Sequence, residues 1–360
     1  MRSELDKIIM NIESPCEAAM DEARCYQAKL AKPPGSLGKL EKISVQLAGI
    51  TGKVHNNIEK KHLIVFASDN GVTAEGVSST PQSVTLKQAV NLTKEKTGAA
   101  VLAAHFGCKI TVCDVGINAD VKNNNVIDRK IAYGTDNIAK GPAMTKEQAL
   151  KAIITGAELA QNTDADIIGV GEMGIGNTTT AAAVLAVLLD VDAEKVTGRG
   201  GGLTDSAFQK KKEVINRAIA INKPDKNDVL DVLSKVGGFD IAAMCGAFLG
   251  AAASKRPVVI DGFISVVAAL CAVKLCPNVL NYLIASHASF EIGYALAIKE
   301  LGLSPMLNLD MRLGEGSGCP LAFQMIDAAC AVMNKMATFE EADIKDDYLE
   351  EIRQGDKFTP

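Results

Sequence analysis

The stretch ADIIGVGEMGIGNTTTAAA, Ala165 to Ala183, decides the fold. Asp166 to Val170 is a short apolar run that reads as a buried strand, Gly171 to Gly176 is a glycine-rich turn, and Asn177 to Thr180 opens an alanine-rich helix. Strand, glycine turn and helix in that order form the unit from which a doubly wound α/β sheet is built. Working outward, the same kind of strand reads at Leu63 to Ser68, Ile110 to Val115, Pro257 to Asp261, Leu280 to Ala285 and Met306 to Leu309. Each is short and apolar enough to be a parallel strand covered on both faces. Helical spacing fills Thr179 to Leu189, Asp240 to Ala253, Ser265 to Val273 and Ser289 to Glu300. The first 50 residues read as two helical segments split by Lys32-Pro33-Pro34-Gly35, and the last 40 return to helix with an acidic end from Glu340 to Glu351. The expected organisation is an α/β unit over residues 60–310 and a small helical domain built from 1–59 and 311–360.

Composition narrows the function. The 360 residues carry 38 Lys+Arg against 43 Asp+Glu, a formal charge of −5, and no basic tract suited to a phosphate backbone. No nucleic-acid partner is expected, and aromatic residues at 4% offer few stacking platforms. Uncharged runs such as Ile241 to Ala253 and Phe263 to Val273 fall short of the roughly 20 residues that span a bilayer. The opening MRSELDKIIMNIES mixes acids and bases and lacks the apolar run of a secretory signal, so a cytoplasmic protein with no membrane partner is expected. The nine cysteines are odd in number and include no Cys-x-x-Cys pair; Cys113, Cys245, Cys271 and Cys330 read as small buried hydrophobes. With four histidines besides, neither a metal site nor a cofactor is expected.

In an open parallel sheet, ligands bind beyond the carboxyl ends of the strands. The candidates there are Ser68 to Gly71, Gly171 to Thr179, Asp261-Gly262, Ser286-His287 and Asp310 to Gly318. Gly169, Gly171 and Gly174 match G-x-G-x-x-G, with Asp190 or Asp192 about 20 residues on, which suggests an NAD-dependent oxidoreductase as an alternative. The glycines, however, run on to Gly176, so the loop and the helix start at Asn177 suit a monophosphate better than a pyrophosphate. Thr197 to Gly202 reads as a second anion nest, followed by Lys210, Lys211 and Lys212. Glu315, between Gly314 and Gly316, is placed like a general base open to close substrate approach. His287 reads as a hydrogen-bonded structural residue.

The blocks KPPGSLGKLE (Lys32 to Glu41), DNG with EGVS and Pro (Asp69 to Pro81), GEMGIGNTTTAAA (Gly171 to Ala183), GRGGG (Gly198 to Gly202), DGFIS (Asp261 to Ser265), SHASFE (Ser286 to Glu291) and LDMRLGEGSG (Leu309 to Gly318) follow one another across the chain. In this order they resemble the nicotinate-nucleotide:dimethylbenzimidazole phosphoribosyltransferases. The resemblance implies transfer of 5-phosphoribose from nicotinate mononucleotide to an aromatic base, giving the α-riboside phosphate of a cobamide lower ligand. It implies a Rossmann-like, mainly parallel sheet with a helical domain from both chain ends, and a homodimer or a heterodimer with a paralogous chain. By similarity Glu315 is the general base and Glu172 a second, electrostatic carboxylate. Gly174, Gly176, Asn177, Thr178, Gly200, Gly201, Gly202 and Lys211 would hold the phosphate, and Asp261, Ser289 and Gly314 would line the donor pocket. The acceptor would meet Ser78, Ser79, Thr80, Lys87 and Gln88.

This acceptor segment departs from the family pattern. Asn70 replaces the usual histidine, Ser79-Thr80 an aromatic residue, and Lys87 the usual glutamine, with Gln88 slipped by one. A branch of the family uses phenol or p-cresol as a heterodimer, so these acceptors are weighed beside dimethylbenzimidazole. A non-catalytic partner subunit is the remaining alternative, against which Glu315 and both glycine loops speak.

Overall fold

The computed structural model describes residues 1–347. Its elements in chain order are α1 (Arg2–Met10), α2 (Glu17–Lys29), α3 (Lys39–Thr51), β1 (Lys61–Ser68), α4 (Val84–Leu92), α5 (Gly98–His105), β2 (Lys109–Gly116), β3 (Val126–Asp128), α6 (Lys146–Gln161), β4 (Ile167–Met173), α7 (Asn177–Leu189), α8 (Ala193–Val196), α9 (Asp205–Asn222), α10 (Val229–Val236), α11 (Phe239–Ala253), β5 (Val258–Ile260), α12 (Phe263–Leu275), β6 (Leu283–Ala285), α13 (Ile292–Glu300) and α14 (Gly318–Lys335). Among the described residues the sheet has six strands in the order β3-β2-β1-β4-β5-β6. Every pairing is parallel. This is the doubly wound, Rossmann-like order, and the chain changes winding direction between β1 and β4, where a crevice opens at the strand ends.

Alternation along β1 explains the two layers. Ile64 and Phe66 face the core shared with α6, α7, α11 and α12. Leu63, Val65 and Ala67 face the one shared with α3, α4, α5 and α14. A period of two therefore feeds both faces of one strand, and a run apolar at every position is what such a strand requires.

Two strand expectations are corrected. Met306 to Leu309 is no ladder strand; the segment makes a single parallel bridge, His287 to Leu307, and Asn308 and Leu309 are exposed, because the sheet ends at β6. Residues 280–282, read as the start of a strand, belong to a 3₁₀ turn, leaving Leu283–Ala285 as β6. Strand β3 escaped the sequence reading because two of its three residues are exposed.

The chain ends meet on the α14 side. Ala19 and Ala23 of α2, Leu30, Ala48 of α3 and Met333 of α14 form one apolar cluster, and Leu30 bridges Thr338. Helix α1, assigned by sequence to the same unit, instead adds Leu5 and Ile8 to the α6/α11 layer. The first 50 residues thus hold three helices rather than two. KPPGSLGKLE forms the α2 to α3 connection: Lys32 pairs with Glu41 at 2.8 Å. Glu41 also accepts the Gly35 and Leu37 N–H groups at 3.1 and 2.9 Å. Residues 348–360, including the end of the acidic segment, lie outside the described residues. No helix among the described residues is long and apolar enough to cross a membrane.

Candidate active site

A cavity of about 320 Å³ opens at the strand ends beside the switch point. Glu315, Glu172, Gly174, Gly176, Asn177, Thr178, Gly200, Gly201, Ser289, Gly314, Ser78, Thr80 and Gln88 all line it. The topology brings together segments more than 200 residues apart: the turns at the ends of β4 and β5 meet the loop after α8 and the Arg312 to Glu315 segment.

Glu315 owes its place to backbone geometry. Gly314, Glu315 and Gly316 have φ of +84°, +61° and +83°, three left-handed residues in succession. For a glutamate this costs about 1–2 kcal/mol, so the surrounding structure has to hold it. Asp261, just past β5, does so: its Oδ2 accepts the Gly316 N–H at 3.0 Å and its Oδ1 the Gly318 N–H at 2.7 Å. The buried side of the loop rests on β4, where a Cβ on Gly171 would come within 2.7 Å of Glu315 O and one on Gly169 within 2.6 Å of Cys319 Cβ. Two glycines of the G-x-G-x-x-G match therefore lie inside the strand, Gly171 admitting this loop and Gly169 the start of α14, not a pyrophosphate. The Glu315 carboxylate faces Gln88 Nε2 at 3.3 Å and the Ala99 N–H at 3.3 Å.

Glu172, the next-to-last residue of β4, is buried beneath the same loop, and its Oε1 accepts the Glu315 N–H at 3.4 Å. The Asn177 amide donates both to Glu172 Oε2 and to Asp240 Oδ2, the latter at 3.0 Å. Burial, reinforced by the Asp240 charge, pushes the Glu172 pKa up to about 8. Burial likewise raises Asp240 to about 6 and Asp261 to about 7. Glu172 on the cavity wall and Asp261 behind the Glu315 loop thus hold protons into the neutral range. Asp240 went unrecognised in the sequence: it stands in the first turn of α11, and only folding sets it against Asn177.

The remaining expected residues lie off the cavity wall. Lys211 is 1% exposed beneath it, with Nζ donating to Thr178 Oγ1 at 2.8 Å and to Gly198 O at 3.1 Å. Burial lowers its pKa to about 8. Asp261 does not line the cavity; both its oxygens are committed to the Glu315 loop. Gly202 is exposed past the loop, and Lys87 stands exposed on α4, one residue from the Gln88 that reaches Glu315. Ser79 lines an adjoining cavity of about 580 Å³ that shares Ser78 and Thr80 with the first. The structure adds Met173, His287, Glu291, Arg312 and Leu313 to the wall. His287 Nδ1 lies 3.0 Å from Ser286 Oγ, and burial lowers its pKa to about 4, leaving the ring neutral at pH 7.

A phosphoribosyltransferase family model matches residues 12–344. The nicotinate-nucleotide–dimethylbenzimidazole phosphoribosyltransferase of Clostridium tetani is 51% identical over 354 residues, covering 97% of this chain and 98% of the relative. That of Clostridium perfringens is 53% identical over 352 residues, with the same coverages of 97% and 98%. The chain belongs to the nicotinate-nucleotide–dimethylbenzimidazole phosphoribosyltransferase family. The solved structure of CobT from Thermus thermophilus superimposes with a TM-score of 0.88 at 37% identity, covering 91% of this chain and 99% of that one. As a phosphoribosyltransferase the chain is an enzyme, and the G-x-G-x-x-G match carries no dehydrogenase reading. Family membership accounts for the clustering of the sequence blocks: those at strand ends line or support the cavity, and KPPGSLGKLE closes the α2 to α3 turn instead.

Proposed function

We propose that this chain moves the 5-phosphoribosyl group from nicotinate mononucleotide to an aromatic base of the dimethylbenzimidazole class, for assembly of a cobamide nucleotide loop. The observation that carries the reading is the Glu315 carboxylate, held in a left-handed turn between the Glu172 floor and the Gln88 amide. The phosphate is assigned to the Gly174 to Thr178 loop at the N-terminus of α7, where backbone dipoles favour an anion. The bond from C1′ to the pyridinium nitrogen breaks with its electron pair passing to the ring, so nicotinate leaves as a neutral pyridine nitrogen. One acceptor nitrogen attacks C1′, and the proton of the other passes to Glu315, a role worth about 10²- to 10⁴-fold in rate. Glu172 lies below this centre. The donor's pyridinium cation beside it favours its ionised form, so the proton held by the buried carboxyl departs on binding, and the carboxylate then stabilises the positive charge developing at C1′.

Ser78, Thr80, Gln88, Met173 and Leu313 are assigned to the acceptor. Of the departing residues, Thr80 lines the cavity while Lys87 is exposed and Ser79 faces the adjoining cavity, and Gln88 reaches Glu315, which favours a benzimidazole over phenol or p-cresol. Phe290, Ile292, Leu309 and Leu313 expose apolar side chains around lining residues Ser289, Glu291 and Arg312, which supports pairing with a second copy. Light scattering after gel filtration tests that pairing.

The deciding experiment incubates the chain with nicotinate mononucleotide and dimethylbenzimidazole, purines, phenol or p-cresol, and identifies products by mass. The expected result is dimethylbenzimidazole riboside phosphate with one nicotinate released per product. No riboside from any acceptor overturns the reading, and phenolic ribosides formed in preference overturn the acceptor assignment.

A further inference from the structure

We propose that the Glu291 carboxylate binds the ribose hydroxyls of the donor and makes the enzyme selective for ribosyl over deoxyribosyl donors. The inference rests on the functional reading above and adds a residue to which that reading gives no task. Glu291 occupies the N-cap of α13 and yet caps nothing, since no N–H of that helix bonds to its side chain. The side chain crosses instead to the loop of residues 197–202. A Cβ on Gly198 would overlap Glu291 Oε2, so only glycine there admits the carboxylate. The Gly200 N–H faces the same group and favours its charged form.

The second glycine-rich loop, which in the sequence reads as a phosphate nest, is thus already supplied with an anion by the chain itself. The Lys211 ammonium group, which with Arg312 favours the ionised form of Glu291, donates to Thr178 Oγ1 and Gly198 O. A phosphate placed against this carboxylate meets like charge at close range, whereas a neutral vicinal diol does not. An ionised carboxylate only accepts hydrogen bonds and hydroxyls donate them, the pairing by which acidic residues hold ribose in dinucleotide sites. The position fits a sugar, because Glu291 lines the cavity together with Thr178 of the phosphate loop and with Glu172 and Glu315, which flank the reacting carbon.

The test compares kcat/KM for nicotinate mononucleotide and for its 2′-deoxy and 3′-deoxy analogues, in the wild-type enzyme and in Glu291→Gln, Glu291→Ala and Gly198→Ala. Wild type is expected to favour at least one hydroxyl by roughly 10- to 100-fold, the scale of a hydrogen bond to a charged group. Glu291→Ala should bring that ratio to within about 3-fold of unity, and Glu291→Gln should leave an intermediate ratio. Gly198→Ala should repeat the collapse with Glu291 present, because it evicts the carboxylate. A ratio unchanged in the Glu291 variants, or equal losses on ribosyl and deoxyribosyl donors, overturns the inference. Wild type that transfers from nicotinate mononucleotide without discriminating the analogues overturns it too and spares the functional reading, whereas wild type that transfers from no donor removes the reading itself.

Discussion

The Gln88 amide donates to Oε1 of Glu315 across 3.3 Å, although 227 residues separate the two in the chain. Lys87, its neighbour on α4, is exposed. Gln88→Ala should therefore lower kcat by about 10-fold, as expected for losing a hydrogen bond to a charged group, and Lys87→Gln should change kcat and acceptor choice by less than about 2-fold. Steady-state kinetics with two acceptors checks both; a large Lys87 effect would bring phenol and p-cresol back as acceptors.

Glu315→Gln keeps the size of the side chain and removes the base. Turnover should fall by about 10²- to 10⁴-fold while the Kd for nicotinate mononucleotide, measured by calorimetry, stays within a few-fold. Half or more of wild-type turnover would remove Glu315 from the chemistry.

Asp261→Asn tests the support rather than the base. One of the carboxylate oxygens that accept the Gly316 and Gly318 N–H groups becomes an amide donor facing a donor. A loss of about 1–3 kcal/mol in unfolding free energy is expected, together with a drop in kcat at unchanged donor KM. An increase confined to donor KM would instead make Asp261 a donor-binding residue.

The acidic floor sets a pH dependence of stability. Glu172 and Asp261 keep their protons in the folded state up to about 8 and 7, far above their values in the unfolded chain. In this window the folded state binds more protons, so stability falls as pH rises. His62 and His287, lowered to about 4, act in the opposite direction only below their ordinary value of 6.5, and Lys211 only above about 8. Urea unfolding between about pH 6.5 and 8 should show the decline, and Glu172→Gln should flatten it. A flat wild-type profile would mean that these groups ionise freely.

Gly201 separates phosphate contact from folding. A Cβ there would meet no atom within 4 Å, whereas one on Gly176, at φ +95°, would press on Thr73 Cγ2 at 2.7 Å. Gly201→Val should leave thermal stability intact. With the phosphate on the Gly174 to Thr178 loop and the Glu291 carboxylate against this one, the same change should leave the Kd for nicotinate mononucleotide within about 2-fold, read by calorimetry. A selective loss of about 10-fold or more for nicotinate mononucleotide, with free nicotinate unaffected, would bring this loop against the phosphate.

The amino-acid sequence by itself determined the alternation of strands and helices, the glycine loop before α7, and the glutamate between glycines at 314–316. These are local signals: apolar runs, glycines and a helix start need no knowledge of neighbours. It overextended the sheet at Met306 to Leu309 and missed β3, because whether a short run pairs depends on the partner strand beside it. Only the tertiary structure decided that Gly171 makes room for the Glu315 loop and Gly169 for the start of α14, that Asp261 holds that loop behind the cavity wall, and that Gln88 rather than Lys87 reaches Glu315. The same holds for the Asn177 bridge between Glu172 and Asp240. Each of these depends on which groups from distant strand ends share one desolvated volume, and hydrogen bonds and proton affinities inside it follow from burial and distance, which spacing along the chain does not encode.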